Sequence, residues 1–292
     1  MTQAWTVDSI DWSNFDASRV DPEILETVKA AALVEANSPD YVTYLKNVFR
    51  DDPALHADFE QWGREEAQHG EALARWAEMA DPDFNFESSL KYFQDGFSLP
   101  LDATASVRGS RAGELIARCV VEVGTSSFYS AIRDAAEEPV LKEISANIAK
   151  DEIRHYRLFR GHLDAFKTAD GKLPLPLKLK VALGRVAEAE DDELAYAYYS
   201  ANEAGKTGAV PYDRKACARA YWRRAMGLYR SEHIARALRM MLKAVDMKTD
   251  SWLARNLSKL LWQMVRLRAA RLARAEAKTL NRARIRPQAR VA

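Results

Sequence analysis

Two stretches of the chain carry a glutamate and a histidine three residues apart: Trp62-Gly-Arg-Glu65-Glu66-Ala-Gln-His69-Gly70 and Lys150-Asp151-Glu152-Ile-Arg-His155-Tyr156. In a helix this spacing sets a carboxylate and an imidazole on one face, one turn apart. A single such pair is common by chance in acidic helices, whereas two in separate helices are far more specific. Two further glutamates stand where charge is out of place: Glu122 inside Cys119-Val-Val-Glu-Val-Gly-Thr-Ser, and Glu35 directly after Ala30-Ala-Ala-Leu-Val34. The spacings nearly repeat, 31 residues from Glu35 to Glu66 and 30 from Glu122 to Glu152. An isolated ionised carboxylate in an apolar interior is very costly, and four would repel one another. Two divalent cations offset the four charges while both imidazoles bind neutral. Mixed carboxylate and imidazole donors suit iron or manganese better than zinc. The expected metal ligands are therefore Glu35, Glu66, His69, Glu122, Glu152 and His155, around two iron ions or a mixed manganese–iron pair. The plainer reading, two solvated Glu-x-x-His faces and a paired core glutamate, needs six positions to coincide.

Neighbouring residues extend the pattern. Asp151 and Glu65 each precede a ligand glutamate and lie roughly 100° around their helices. From there Asp151 can accept the remaining N–H of His69, and Glu65 that of His155. Pro39 removes the helical hydrogen bond to the Glu35 carbonyl and is expected to kink its helix. Thr125, three residues after Glu122, shares its face; its hydroxyl can relay a proton or bond back to the preceding turn. Cys119 on that face reads as a small buried residue. His56, His162 and His233 read as surface or interface residues, and the acidic run Glu188–Glu193 as a solvated face. No Gly-rich phosphate loop is present and no organic cofactor is indicated.

The elements that must position these residues are helices. Asp21-Pro22 and Asp52-Pro53 each read as an N-cap with proline in the first turn, opening helices to about Phe49 and Ala80. Helices are also expected over about Ser110–Glu137 and Pro139–Lys167. The connections are short, long, short, with nearly thirty residues over Asp81–Gly109. That predicts an all-α, ferritin-like four-helix bundle with one long crossover between its second and third helices. The bundle is expected over residues 1–170, with a short arm at 1–20. Residues 171–292 form an additional helical region, with segments near Leu177–Ala204, Tyr212–Val245 and Ser251–Arg284.

Composition sets the outer limits. With 48% hydrophobic residues the 292-residue chain reads as globular, and its two distant cysteines, Cys119 and Cys217, exclude a disulfide framework. No apolar run reaches the roughly 20 residues a membrane span needs, and the first twenty residues lack a signal-peptide core, so a cytoplasmic protein is expected. From Leu253 onward eleven Lys/Arg meet one acid, Glu276, a net of +10 against +1 for the whole chain. Leu253, Leu257, Leu260, Leu261, Met264, Val265, Leu267 and Leu272 recur among these cations, which extend through Lys278, Arg282, Arg284 and Arg286 to Arg290. Such a helix can lie on an anionic membrane surface or grip an acidic protein. No nucleic-acid recognition module accompanies it.

The motifs Glu35-x-x-x-Pro39-x-Tyr41, Trp62-x-x-Glu65-Glu66-x-x-His69-Gly70, Glu122-x-x-Thr125 and Asp151-Glu152-x-Arg154-His155 together resemble the soluble acyl-carrier-protein desaturases of the ferritin-like di-iron superfamily. The resemblance covers about Pro22–Lys167; the connection between the first two helices is shorter than in the plant enzymes, and nothing after Gly171 matches. It implies an iron pair that activates O₂ and removes hydrogen from an unactivated C–H bond, in a desaturase or hydroxylase acting on a fatty acyl-type substrate. It also implies an external electron donor such as ferredoxin, an electron route through Trp62 and Asp151, and proton delivery by Thr125. Acyl carrier protein, which is acidic, is then a natural partner for the basic tail, and a homodimer is expected. Two other functions share the ligand pattern: a rubrerythrin-like peroxide-reducing enzyme, disfavoured by the absence of Cys-x-x-Cys pairs, and a metal-binding protein without turnover. A long apolar cavity beside the metals favours the first function, and a small polar one favours peroxide.

Overall fold

A computed structural model of the chain describes residues 5–169, 173–188, 192–206 and 208–285, with side chains described to Phe166 in one long helix and to Ala275 in the last. The side chains of Lys278, Arg282 and Arg284, and all of Arg286, Arg290, Glu190 and Asp191, lie outside the described residues. All regular structure among the described residues is helical. After three short 3-10 turns come α1 (Pro22–Ala36), α2 (Ser38–Val48), α3 (Pro53–Ala80), α4 (Phe86–Gly96), α5 (Arg111–Ala135), α6 (Pro139–Ala169), α7 (Leu175–Glu188), α8 (Asp192–Asn202), α9 (Arg214–Leu228), α10 (Ser231–Ala244) and α11 (Trp252–Ile285).

Several helix starts follow local chemistry, and that of α3 does not. Asp21 accepts hydrogen bonds from the Glu23 and Ile24 amides ahead of Pro22, and Ser110 caps α5 at Gly113. Glu138 caps α6 through the Val140 and Leu141 amides and also accepts from Trp76 Nε1. Asp52 does not cap α3; its carboxylate pairs with Arg111 at 2.9 Å, tying the start of α3 to that of α5. The expected first helix is two, broken at Asn37 rather than merely kinked. Pro39 has no N–H for the Glu35 carbonyl, and Ser38 Oγ instead donates to the Gly63 carbonyl at 3.0 Å. The crossover holds α4 where only a loop was expected, capped by Asn85. The two expected C-terminal segments Leu177–Ala204 and Tyr212–Val245 are likewise two helices each.

Contacts fix how the long helices run. Lys29–Asp81, Ala36–Gly70 and Lys46–Glu60 set α1 and α2 antiparallel to α3. Trp76–Glu138, His69–Asp151 and Asp58–His162 set α3 antiparallel to α6. Thr125–Glu152 and Glu122–His155 set α5 antiparallel to α6. So α3 and α5 run parallel, and the segment between them must return the full length of the pair. That is the reason for the long crossover. Two apolar clusters fill the interior: one includes Val28, Leu33, Leu73, Trp76, Ile132 and Ile144, the other Leu45, Phe59, Leu115, Ile116, Phe159 and Leu163. The Glu/His residues occupy the layer where these clusters meet.

The C-terminal helices are packed onto these pairs: α8 and α9 against α1, α7 and α10 against α5. Ala254, Leu257 and Leu261 of α11 pack toward α10, and Val265 reaches an internal cavity. A second stripe on α11, Leu253, Leu260, Met264 and Leu267, stays exposed. No helix among the described residues is long and apolar enough to cross a membrane.

The closest helix approach is at Gly70, where an added Cβ would lie 2.7 Å from the Ala36 backbone nitrogen. Gly70→Ala is expected to destabilise the protein by about 1–3 kcal/mol through overpacking. Gly161→Ala, on the open face of α6 with nothing within 4 Å, is expected to stabilise by up to about 1 kcal/mol. Denaturant unfolding of both variants checks the pair, and equal effects would refute the close approach.

Candidate metal centre

Four helices each deliver part of one buried layer. Glu35 comes from the last turn of α1, Glu66 and His69 from the middle of α3, Glu122 from α5, and Glu152 and His155 from α6. All six are buried, the most exposed being Glu35 at 7%. Their ligand atoms form two groups within 4.8 Å: Glu35, Glu66, His69 and Glu152, and Glu66, Glu122, Glu152 and His155. Glu66 and Glu152 belong to both. Each Glu-x-x-His motif thus supplies one imidazole to its own group and one carboxylate shared between the groups, and each group could hold a metal ion. His69 Nδ1 lies 3.4 Å from Glu66 and 3.2 Å from Glu152. His155 Nδ1 lies 3.0 Å from Glu66 and 3.6 Å from Glu122.

The unpartnered atoms test whether cations fit. His69 Nδ1, His155 Nδ1, both Glu122 oxygens and Glu152 Oε1 are buried without a hydrogen-bond partner among the described residues. All belong to the six ligands. The far side of each imidazole is engaged: His69 Nε2 meets Asp151 Oδ2 at 3.2 Å and His155 Nε2 meets Glu65 Oε2 at 2.7 Å. With its Nε2 proton held by a carboxylate, each ring turns an Nδ1 lone pair inward. Arg154 joins the two outer carboxylates, donating to Asp151 at 2.6 Å and Glu65 at 2.8 Å. Although burial pushes both upward, these donors bring Glu65 and Asp151 down to about 2, so both stay ionised as acceptors.

Protons are the only alternative to cations in this layer. Burial and the neighbouring carboxylates push Glu35 and Glu122 well above the usual range. Burial opposes charge on His69 and His155, yet the surrounding carboxylates hold both well above the ordinary imidazole value. Buried Glu/His groups of this kind can hold metal ions, and oxygen and nitrogen donors in these proportions suit iron or manganese.

Residues around the layer divide by role. Thr125 Oγ1 donates to Glu152 and also lies 3.3 Å from the Val121 and Glu122 carbonyls, so the expected bond back to the preceding turn is present beside a contact with the layer. Trp62 is buried beside Glu66, but its Nε1 has no partner among the described residues. The tryptophan joined to Asp151 is Trp5 of the N-terminal arm. Its Nε1 donates to Asp151 Oδ2 at 2.7 Å, and its ring stacks on His69 with centroids 6.0 Å apart. Tyr129 donates to Glu35. Neither Trp5 nor Tyr129 was expected here. Cys119 is a buried member of the second apolar cluster. His56 and His162 are partly exposed, as expected, but His233 is not. It is 2% exposed, accepts the Arg230 amide at its Nδ1 and meets Asp134 at 2.9 Å, which fastens α10 to the end of α5. Of the acidic run, Asp192 is exposed as expected, whereas the two ends are engaged: Glu188 pairs with Arg108, and Glu193 accepts from Tyr41.

Beside the layer lies a cavity of about 370 Å³ with a mostly apolar wall, onto which Glu35, Glu66, Glu122, Glu152 and Thr125 open. Val120, Val121, Val123 and Phe128 of α5 form one side, and Trp222, Met226, Ile234, Ala237, Met241 and Val265 of the C-terminal helices close the other. No protein-family model matches the chain, and no curated protein matches it.

Two metal ions per chain are expected after anaerobic Fe(II) loading. Elemental analysis of Glu122→Ala and His155→Ala should find at most one, and full occupancy in both would remove these residues from the ligand set. Asp151→Asn should keep the fold and weaken metal affinity about 10–100-fold by freeing the His69 ring.

Proposed function

We propose that the chain is a ferritin-like four-helix bundle that holds two iron ions and acts as an O₂-dependent oxidase or oxygenase on a long apolar, fatty acyl-type substrate. The observation that carries this reading is the apolar cavity running directly past Glu122 and Thr125. Peroxide needs no such space. Storage needs no cavity enclosed by additional helices. A volume of 370 Å³ falls in the range of about 300–1,000 Å³ common for small-molecule sites.

Glu35, Glu66, His69, Glu122, Glu152 and His155 would hold the ions, with Glu66 and Glu152 belonging to both groups. Bound iron supplies the redox chemistry. For desaturation, one O₂, two protons and two electrons from an external donor such as ferredoxin remove two hydrogens from the substrate and leave two waters. The protein's own residues do the rest. Asp151 and Glu65 hold the imidazoles in the ligating tautomer. Thr125, which donates to Glu152, is placed to hand a proton across the cavity side. The valines of α5 and the C-terminal helices keep water from the substrate side. Trp5–Asp151–His69 is a continuous hydrogen-bonded path from the partly exposed arm to a ligand, and it supplies the electron route expected of Trp62.

Thr125→Val should retain two metals and lose product formation on the order of 100-fold, the scale of a missing proton donor, while O₂ consumption continues. Product yield per O₂ measures this, and unchanged coupling would return Thr125 to a purely structural role.

For the partner of α11 the same reading favours an anionic membrane surface. Its exposed stripe of Leu253, Leu260, Met264 and Leu267 is flanked by Lys259, Arg266 and Arg271, and large exposed leucines suit lipid better than an acidic protein surface. Reversing charge at Arg266, Arg271 and Arg274 should abolish sedimentation with phosphatidylserine vesicles at low salt. Retained vesicle binding would refute the proposal, as would charge-sensitive capture by acyl carrier protein in its place.

A further inference from the structure

Two guanidiniums line the cavity beside the glutamate layer. Arg118 stands one turn before Glu122 on α5 and is 5% exposed. Its Nε is buried without a hydrogen-bond partner. The nearest acid, Glu114, is 3.8 Å away and already accepts from Tyr44 at 2.9 Å and Ser106 at 2.7 Å. Arg185 of α7 lines the same end of the cavity, its Nε is likewise buried and unpartnered, and it makes no ion pair among the described residues. Of the carboxylates that line the cavity outside the Glu/His layer, Glu188 is paired with Arg108 and Glu193 accepts from Tyr41. An arginine cannot shed its charge, and Glu114 at 3.8 Å leaves the Arg118 Nε without a hydrogen bond. Each guanidinium therefore lines the cavity with a buried Nε that has no acceptor among the described residues.

We propose that Arg118 and Arg185 bind the carboxylate of a free long-chain carboxylic acid whose hydrocarbon tail lies in the cavity. This deepens the proposed function by naming the substrate class, and it rests on that reading only for the chemistry that follows binding. Planar guanidinium pairs match a carboxylate in geometry as well as charge. The cavity follows α5 from Arg118 to Tyr129, which at 1.5 Å per residue is about 16 Å. Its far end is closed by Phe128, Tyr221, Tyr229 and Ile234, none of them charged. Glu122 and Thr125 lie between the ends, so a chain anchored at the arginines passes the metal layer with its C–H groups. A thioester on a carrier is neutral at its carbonyl and would leave both arginines without an anion.

Binding to the full-length protein, as purified and held anaerobic without reductant so that nothing turns over, tests the anchor. Displacement of a fluorescent fatty acid is measured with hexadecanoate, its methyl ester and hexadecanoyl-coenzyme A. Hexadecanoate should bind at least 10-fold tighter than the ester. Arg118→Gln and the more exposed Arg185→Gln should each weaken the acid about 10–100-fold, the scale of a lost charge-assisted hydrogen bond, and change the ester less than twofold. If Arg118→Gln does not fold, Arg185→Gln decides. Equal binding of acid and ester, equal loss of both in the variant, or tighter binding of the coenzyme A thioester would each overturn the proposal. Absence of iron would sink the oxidase reading and leave this result intact, whereas a failed anchor leaves the metal content and the effect of Thr125→Val unchanged.

Discussion

Four carboxylates converge where the protein is driest, and that concentration of negative charge is the constraint on which the rest of the structure depends. Glu35, Glu66, Glu122 and Glu152 lie between two apolar clusters, with no solvent to screen them and Coulomb repulsion magnified accordingly. Either protons or cations must compensate. Two imidazoles, each engaged by a carboxylate on its outer side, complete a donor set that could hold metal ions. The geometry outside the layer serves that choice. Asp151 and Glu65 orient the imidazoles, and Arg154 neutralises part of the charge those two add. The break at Asn37 falls at the same level, because Pro39 ends the hydrogen-bond ladder directly after Glu35.

The additional helices change what such a layer can do. A bundle of four helices would leave the outer faces of α1 and α5 open to water, including Val121, Thr125 and Phe128. Covering them with α8 and α9 on one side and α7 and α10 on the other converts that surface into the wall of a partly open cavity. His233 helps to fix the cover: its contacts with Arg230 and Asp134 pin the start of α10 to the end of α5.

What the sequence made legible is local and periodic. The six expected ligands, Asp151 and Glu65 all follow from the helical repeat, and the structure brings them together. Tyr129 was legible in principle, since it lies seven residues after Glu122 and so on the same face, but a hydroxyl in an apolar run carries no signal of its own. Trp5 had none, because its partner Asp151 is 146 residues away and no repeat links an arm to a helix. Asp52 had the spacing of a cap and went to Arg111, a tertiary pairing that outweighs a local one. The acidic run misled for the same reason: Glu188 and Glu193 look solvated until Arg108 and Tyr41 are folded against them. The helix end at Leu228 was hidden because the apolar periodicity resumes at once in α10.

The two sides of the metal layer differ in kind. Toward α3 and α6 lie the imidazoles, backed by Asp151, Glu65 and Arg154 and reached through the partly exposed Trp5. Toward α1 and α5 lies the cavity, onto which the carboxylates and Thr125 open while His69 and His155 do not. Charge delivered along the first side does not cross the space a substrate would occupy. The proposed oxidation of an unactivated C–H bond would need that separation, because an oxidant strong enough for it would also attack whatever electron source or water shared its chamber. The polar groups behind the histidines and the largely apolar wall before the carboxylates thus put two different environments on opposite sides of one Glu/His layer.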